Sequence, residues 1–232
     1  MAKLPFFAPD GLYLKDDFLS NDGVADATVG DLNWEMVTIG GASTPSFIQP
    51  GAPGAYGVMC DTTDSTTAHG EVYRLNANSI VLGSKGGFFR AKVQLHDTLT
   101  GNNLRFGLQD SETATDSTCG IWVDILAGVV TVQADSATEG DHTLTVTGCP
   151  TLTGGTTCVV ATWHEFEVRW EGENAAGGPA RVHTWIDGWY AGPLECELDD
   201  DEPMELSITH WDTGAGATLE AYIDYIELFI AR

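Results

Sequence analysis

Two carboxylate pairs are the first candidates for chemistry. Glu165 and Glu167 stand two residues apart in WHEFEVRW (Trp163 to Trp170), and Asp224 and Glu227 three apart in YIDYIELF (Tyr222 to Phe229). A retaining glycoside hydrolase needs two carboxyl groups about 5–5.5 Å apart, one as nucleophile and one as acid and base. On a strand, Glu165 and Glu167 share a face at about 7 Å, while Asp224 and Glu227 are expected on opposite faces. Phe166, Val168 and Trp170 alternate with the glutamates and claim the buried side, which leaves Glu165 and Glu167 on a solvated one. Asp224, among apolar neighbours, is expected to accept hydrogen bonds from a turn or loop, because a buried carboxylate needs partners. Neither pair belongs to a Glu-x-Asp-x-x-Glu array of the kind sandwich-fold hydrolases carry. No catalytic residue is assigned, and the chain is not expected to be an enzyme.

Other chemistries find little support. Serines and histidines occur without a Gly-x-Ser-x-Gly or Cys/His signature, and His164 and His183 read as satisfied or exposed imidazoles. Five cysteines leave one over if they pair; Cys149 and Cys158 flank a Thr/Gly-rich loop that could join them across a hairpin. No C-x-x-C and no histidine at ligand spacing suggests zinc. Asp199, Asp200, Asp201 and Glu202, like Asn21, Asp22, Asp26 and Asp31, offer the hard oxygens calcium takes, though without the spacing of an EF-hand loop. No other cofactor is expected. Trp185, Trp189, Tyr190 and Trp211 are candidates for a glycan platform, since a pyranose packs its apolar face on such rings. Trp185 shares a strand face with Arg181 and His183, which makes it the best exposed aromatic.

Strands must position these groups. WHEFEVRW has period two. VHTWIDG (Val182 to Gly188) is a strand running into Asp187-Gly188, a pair suited to the positive φ angles of a two-residue hairpin, with Trp189 and Tyr190 starting the return. YIDYIELF is apolar on both faces, Tyr222, Ile226 and Leu228 on one and Ile223, Tyr225 and Phe229 on the other, as in a central strand. Trp34 to Ile39, Phe88 to Leu95, Leu104 to Asp110, Cys119 to Asp124 and Asp141 to Thr147 read as further strands. Residues 40–57 and 61–70 read as loop and turn. No long window carries helical apolar spacing without Gly or Pro.

Residues 1–16 read as an arm, because Pro5 and Pro9 oppose ladder pairing, and 17–232 as one sandwich domain, a size such domains reach. The arm's Leu4, Phe6 and Phe7 must be covered by its own sandwich or by a neighbouring subunit; in the second case they are partner-binding residues. The chain carries 34 acidic against 10 basic residues, a formal net charge of −24. Such a surface repels phosphates and anionic lipids, so neither nucleic acid nor membrane is an expected partner. Nothing approaches the ~18–20 consecutive apolar residues of a membrane span, and the N-terminus lacks a signal-peptide core, which suits synthesis in a cytoplasm.

The order of these motifs, from FGLQD and GIWVD through WHEF and the IDG hairpin to IDYIEL, resembles concanavalin A-like (LamG/jelly-roll) modules of structural proteins in tailed bacteriophages. The resemblance covers roughly residues 85–230, with weaker support from Asp16 to Tyr73. It implies an all-β jelly-roll sandwich with an extended N-terminal arm. By the same resemblance the expected role is structural: a capsid decoration protein on the virion, contacting the major capsid protein and neighbouring copies of itself. Two alternatives stand beside it, a lectin-like module of a phage tail or fibre and a polysaccharide hydrolase, because one fold hosts all three.

Overall fold

Period-two alternation becomes strand throughout. The computed structural model describes residues 11–16, 28–29, 32, 34–39, 58–62, 70–82, 86–96, 98–110, 117–136, 140–172, 180–196, 198, 203–213 and 219–231, with no helix among them. The strands are β1 (Gly11–Asp16), β2 (Thr28–Val29), β3 (Trp34–Ile39), β4 (Val58–Thr62), β5 (Gly70–Val81), β6 (Gly87–His96), β7 (Asn102–Gln109) and β8 (Gly120–Leu126). They continue with β9 (Val129–Ser136), β10 (Gly140–Thr145), β11 (His164–Trp170), β12 (Ala180–Ile186), β13 (Trp189–Cys196), β14 (Pro203–Asp212) and β15 (Leu219–Ala231).

Two antiparallel sheets form a jelly-roll sandwich. The first runs β1-β15-β6-β11-β12-β13, with β4 also on β15; the second runs β10-β9-β8-β7-β14-β5-β3-β2. Phe89, Ala91, Val93 and Leu95 of β6 and Phe166, Val168 and Trp170 of β11 face inward from the first sheet. Leu104, Phe106, Leu108, Ile121, Val123 and Ile125 meet them from the second. Phe106 is the hinge of this packing, edge-on to Phe89 at 6.4 Å and to Phe166 at 5.4 Å, geometries the ring quadrupoles favour.

The Asp187-Gly188 turn forms as read: φ is 50° at Asp187 and 79° at Gly188, and Ile186 pairs with Trp189 across it. Pro193 sits on β13, an edge strand of the first sheet, where the missing N–H leaves no gap in the ladder and discourages further pairing.

Three expectations change. Residues 11–16, assigned to the arm, are strand β1 along the C-terminal half of β15, from Gly11 opposite Ala231 to Asp16 opposite Ile226. The prolines that spoil pairing lie upstream at 5 and 9 and do not reach this stretch. Leu4, Phe6 and Phe7 fall outside the described residues. Second, β15 is not a simple alternation. A bulge at Asp224 shifts its register against β6 between Ile223 and Tyr225, so Ala221 and Ile223 face the core before it and Ile226, Leu228 and Ile230 after it. An inserted residue exchanges the faces, and Tyr222 therefore lies opposite to Ile226 rather than beside it. Third, the same bulge puts Asp224 and Glu227 on one face, the outer one, where they meet Lys92 and Arg90 of β6.

Candidate functional site

The outer face of the first sheet is built by cross-strand register. Arg90 of β6 lies opposite Glu167 of β11, which lies opposite Trp185 of β12; Arg169 lies opposite His183. Trp185 in turn pairs with Tyr190, because a bulge between Thr184 and Trp185 shifts β13 by one residue. Aromatic and charged side chains far apart in sequence thereby form one surface.

His183, Trp185 and Tyr190 are its aromatic part. Their ring centroids lie 5.2 Å apart for Trp185 and Tyr190, 6.0 Å for His183 and Tyr190 and 6.1 Å for His183 and Trp185. Tyr190 is 43% exposed, high for so large an aromatic. Its hydroxyl and His183 Nδ1 are 2.8 Å apart, and His183 Nε2 lies 3.7 Å from the Glu171 carboxylate. The Arg169 guanidinium stacks 5.1 Å above Trp185, while its Nε donates to Glu167. Together Gly87, Arg169, Trp170, Glu171, His183, Trp185 and Tyr190 line an open cleft of about 480 Å³. The Trp170 Nε1–H is buried and has no acceptor among the described residues, which costs stability.

Of the four aromatics named from sequence, the fold brings two together. Trp185 and Tyr190 share the cleft, and Trp189 packs against the core. Trp211 belongs to the second sheet, 7% exposed, because β14 pairs with β7 and β5 rather than with the hairpin.

The carboxylates are paired rather than solvated. Glu167 accepts from Arg90 at 2.7 and 3.0 Å, and Arg90 also reaches Glu227 at 3.3 Å. Glu165 accepts from the Tyr225 hydroxyl. Asp224 accepts from Lys92 Nζ at 2.6 Å. His164, on the same strand as the glutamates, is 2% exposed; the Val159 N–H donates to its Nε2 at 3.2 Å, which leaves Nδ1–H to donate to Asp187 at 2.8 Å. Burial raises the Asp187 carboxyl, but donation from His164, Thr151 and the Glu165 N–H outweighs it and holds the group below its ordinary range.

Sequence reading missed a second polar centre. On the non-core face of the second sheet Arg105 is 1% and Asp124 0% exposed, joined at 2.6 and 3.1 Å. Trp122 Nε1–H and Gln133 Nε2–H donate to the same carboxylate at 3.0 and 2.7 Å. The guanidinium lies between Trp122 and Trp211, 5.4 and 5.6 Å from their centroids. Alternation put both charges opposite the core; only the register of β7 on β8 put them together.

Among the described residues no group of three His, Cys, Asp or Glu is arranged to hold a metal ion. Asp199, Asp200, Asp201 and Glu202 lie outside them, as do Asn21, Asp22, Asp26 and Asp31. Cys119, Cys149, Cys158 and Cys196 are buried free thiols, so Cys149 and Cys158 are not bridged.

The class of protein that this architecture defines is the concanavalin A-like jelly-roll sandwich, and solved structures share it. A protein of unknown function from Shewanella oneidensis MR-1 matches with a TM-score of 0.62 at 13% identity over 99% of this chain and 90% of that one. An endo-β-1,4-glucuronan lyase from the fungus Trichoderma reesei gives 0.59 at 13% identity over 94% of each. The carbohydrate recognition domain of Emp47p gives 0.58 at 8% identity over 97% and 99%. At such identities the likeness is one of fold. No family model matches the chain, and no curated protein does.

Proposed function

We propose that this protein is a carbohydrate-binding β-sandwich that holds a glycan in the cleft of Trp185, Tyr190 and His183 without cleaving it. The observation that carries the reading is that cleft: a clustered aromatic surface, open to solvent, ringed by Arg169 and Glu171. A pyranose offers both an apolar face for the rings and hydroxyls for the polar groups, the combination expected of a concave ligand site. That two proteins of this fold are a carbohydrate recognition domain and a polysaccharide lyase agrees with the reading. Glu165 and Glu167 both serve structural partners, which favours binding over cleavage.

Trp185→Ala is expected to weaken glycan affinity about 30-fold or more, the effect of an aromatic anchor worth about 2 kcal/mol, while leaving the melting temperature close to that of the wild type. Calorimetric titration against a panel of neutral, acidic and amino oligosaccharides checks it. Saturable binding to none of them, or an unchanged affinity in the variant, overturns the reading.

A second reading concerns where the module is displayed. We infer that it decorates the outside of a virion, bound to the major capsid protein and to neighbouring copies, after synthesis in the host cytoplasm. Motif order and the net charge of −24 support this, since an acidic exterior shell is soluble and avoids the packaged nucleic acid. Ligand that binds only the assembled shell stabilises it by mass action. The purified protein is expected to saturate capsids that lack it and to raise their resistance to heat, with moderate salt helping by screening repulsion between copies. Absence of saturable uptake refutes the placement.

A further inference from the structure

We infer that the cleft continues past Trp185 into a second subsite that takes a positively charged amino sugar; this rests on the glycan-binding reading. A smaller pocket of about 230 Å³ lies beyond the Arg169–Trp185 stack, lined by Glu165, Glu167, Arg169, Trp185 and Gly188. It shares Arg169 and Trp185 with the aromatic cleft, so the two are adjacent stations for one oligosaccharide, separated by a single stacked pair.

Charge decides what the smaller station accepts. The carboxylates Glu165, Glu167, Asp224 and Glu227 face the cations Arg90, Lys92, Arg169 and, from β1, Lys15. Glu167 is taken by Arg90 and Arg169, Glu227 by Arg90 and the Tyr13 hydroxyl and Asp224 by Lys92. Lys92 is the cross-strand neighbour of Glu165, yet it is drawn to the bulged Asp224 and over Trp163. Glu165 is left with a neutral partner, the Tyr225 hydroxyl, whose proton is held firmly by burial and by that same bond. Asp187, whose Oδ1 accepts the Glu165 N–H at 2.8 Å, adds a further carboxylate beside the pocket. Lys15, on β1, stacks over Tyr225 at 4.9 Å rather than on Glu165. With Asp187 the carboxylates outnumber the cations by one, and Arg90, which also acts on Glu165, is shared among three of them, so the balance around Glu165 is negative.

A sugar ammonium brings three donors and one positive charge to an acceptor whose hydrogen bond comes from a neutral phenol. Sulfated, phosphorylated and uronic sugars meet repulsion both here and from the whole acidic protein, and charge mismatch of this kind discriminates strongly between ligands. The neighbouring sugar then rests on Trp185 and Tyr190.

The test compares a glucosamine tetrasaccharide with its fully N-acetylated counterpart, titrated into the full chain at pH 6. The amine form is expected to bind at least about tenfold tighter in low salt. That ratio is expected to shrink in 0.5 M NaCl, where the Debye length falls to a few ångströms (~4 Å). Glu165→Gln, which keeps the side-chain shape, is expected to bring the ratio toward one, with a melting curve run alongside. If both forms bind wild type equally while Trp185→Ala still weakens them, the second subsite is refuted and the glycan reading stands. A preference that survives Glu165→Gln refutes the assignment to this carboxylate. Binding of neither form, nor of any sugar in the panel, removes the glycan reading itself.

Discussion

Arg105→Met is expected to lower the unfolding free energy by about 3–5 kcal/mol, the cost of stranding one member of a buried ion pair. In a chain of this size each kcal/mol moves the midpoint by about 2–4 °C, so the melt should fall by about 6–20 °C. The magnitude follows from what is left behind. Asp124 would keep the Trp122 and Gln133 donors but lose the Arg105 guanidinium, 2.6 Å from its carboxylate. Buried at 0% exposure, it has little water to take the cation's place. Trp122 and Trp211 would also lose the plane between them, and methionine fills only part of that space. Arg105→Met with Asp124→Leu should be less damaging than Arg105→Met alone, because removing both charges removes the desolvation cost that the pair offsets. Differential scanning calorimetry of the three proteins distinguishes the cases. A loss below about 1 kcal/mol in the single variant would mean that water reaches the site.

Stability is also expected to fall as the solution is acidified from pH 6.5 to 5. His210 on β14 is wholly buried, and burial alone pulls its pKa from 6.5 to about 3. Asn102 Nδ2 donates to the carbonyls of His96, Thr98 and Glu220, which fixes Asn102 Oδ1 as the acceptor of His210 Nε2–H at 2.9 Å. Nδ1 has no partner among the described residues, so nothing there compensates an added proton.

In the unfolded chain this histidine binds a proton below about pH 6.5, while in the folded protein it stays neutral until about pH 3. The unfolded state therefore holds more protons across that window. Its stabilising contribution is complete above pH 6.5 and declines on acidification at a limiting slope of about 1.4 kcal/mol per pH unit. The range above pH 5 is the informative one. Below it the many carboxylates begin to neutralise and relieve self-repulsion, and Asp187, held below its ordinary range, adds its own loss only at still lower pH.

On the alkaline side the direction reverses. Burial lifts the Cys158 thiol from 9.0 and the Tyr13 phenol from 10.0, each to about 12, so stability should decline again above about pH 9. Urea titrations at half-unit steps, with His210→Gln as the comparison, test the acidic limb. A flat or rising profile between pH 6.5 and 5 in the wild type would overturn the role given to His210.

Much of the architecture was legible because it rests on local rules. Alternation along WHEFEVRW and FFRAKVQL sorts inward from outward side chains without knowledge of any partner strand. Asp187-Gly188 specifies its turn because few residues tolerate two consecutive positive φ angles. The negative charge, and the partners it disfavours, is a sum over the sequence and needs no fold.

The site was legible only in fragments. Trp185 could be placed on an outer face beside His183, but its contact with Tyr190 depends on the β12–β13 bulge, and its contact with Arg169 on the β11–β12 register. Asp224 and Glu227 were set on opposite faces by counting residues. The bulge at Asp224 reversed that, because an extra residue in one strand is invisible to a period read along that strand alone. Trp211 looked like a neighbour of the hairpin through proximity in sequence, and strand order carried it to the other sheet beside Arg105. The sequence by itself thus determined which residues face inward along the regular strands, the Asp187-Gly188 turn and how acidic the chain is, since each depends on a residue and its near neighbours. Tertiary structure alone decided which outward residues meet, because register and bulges are set by two sheets closing over a common core, and those meetings make the cleft.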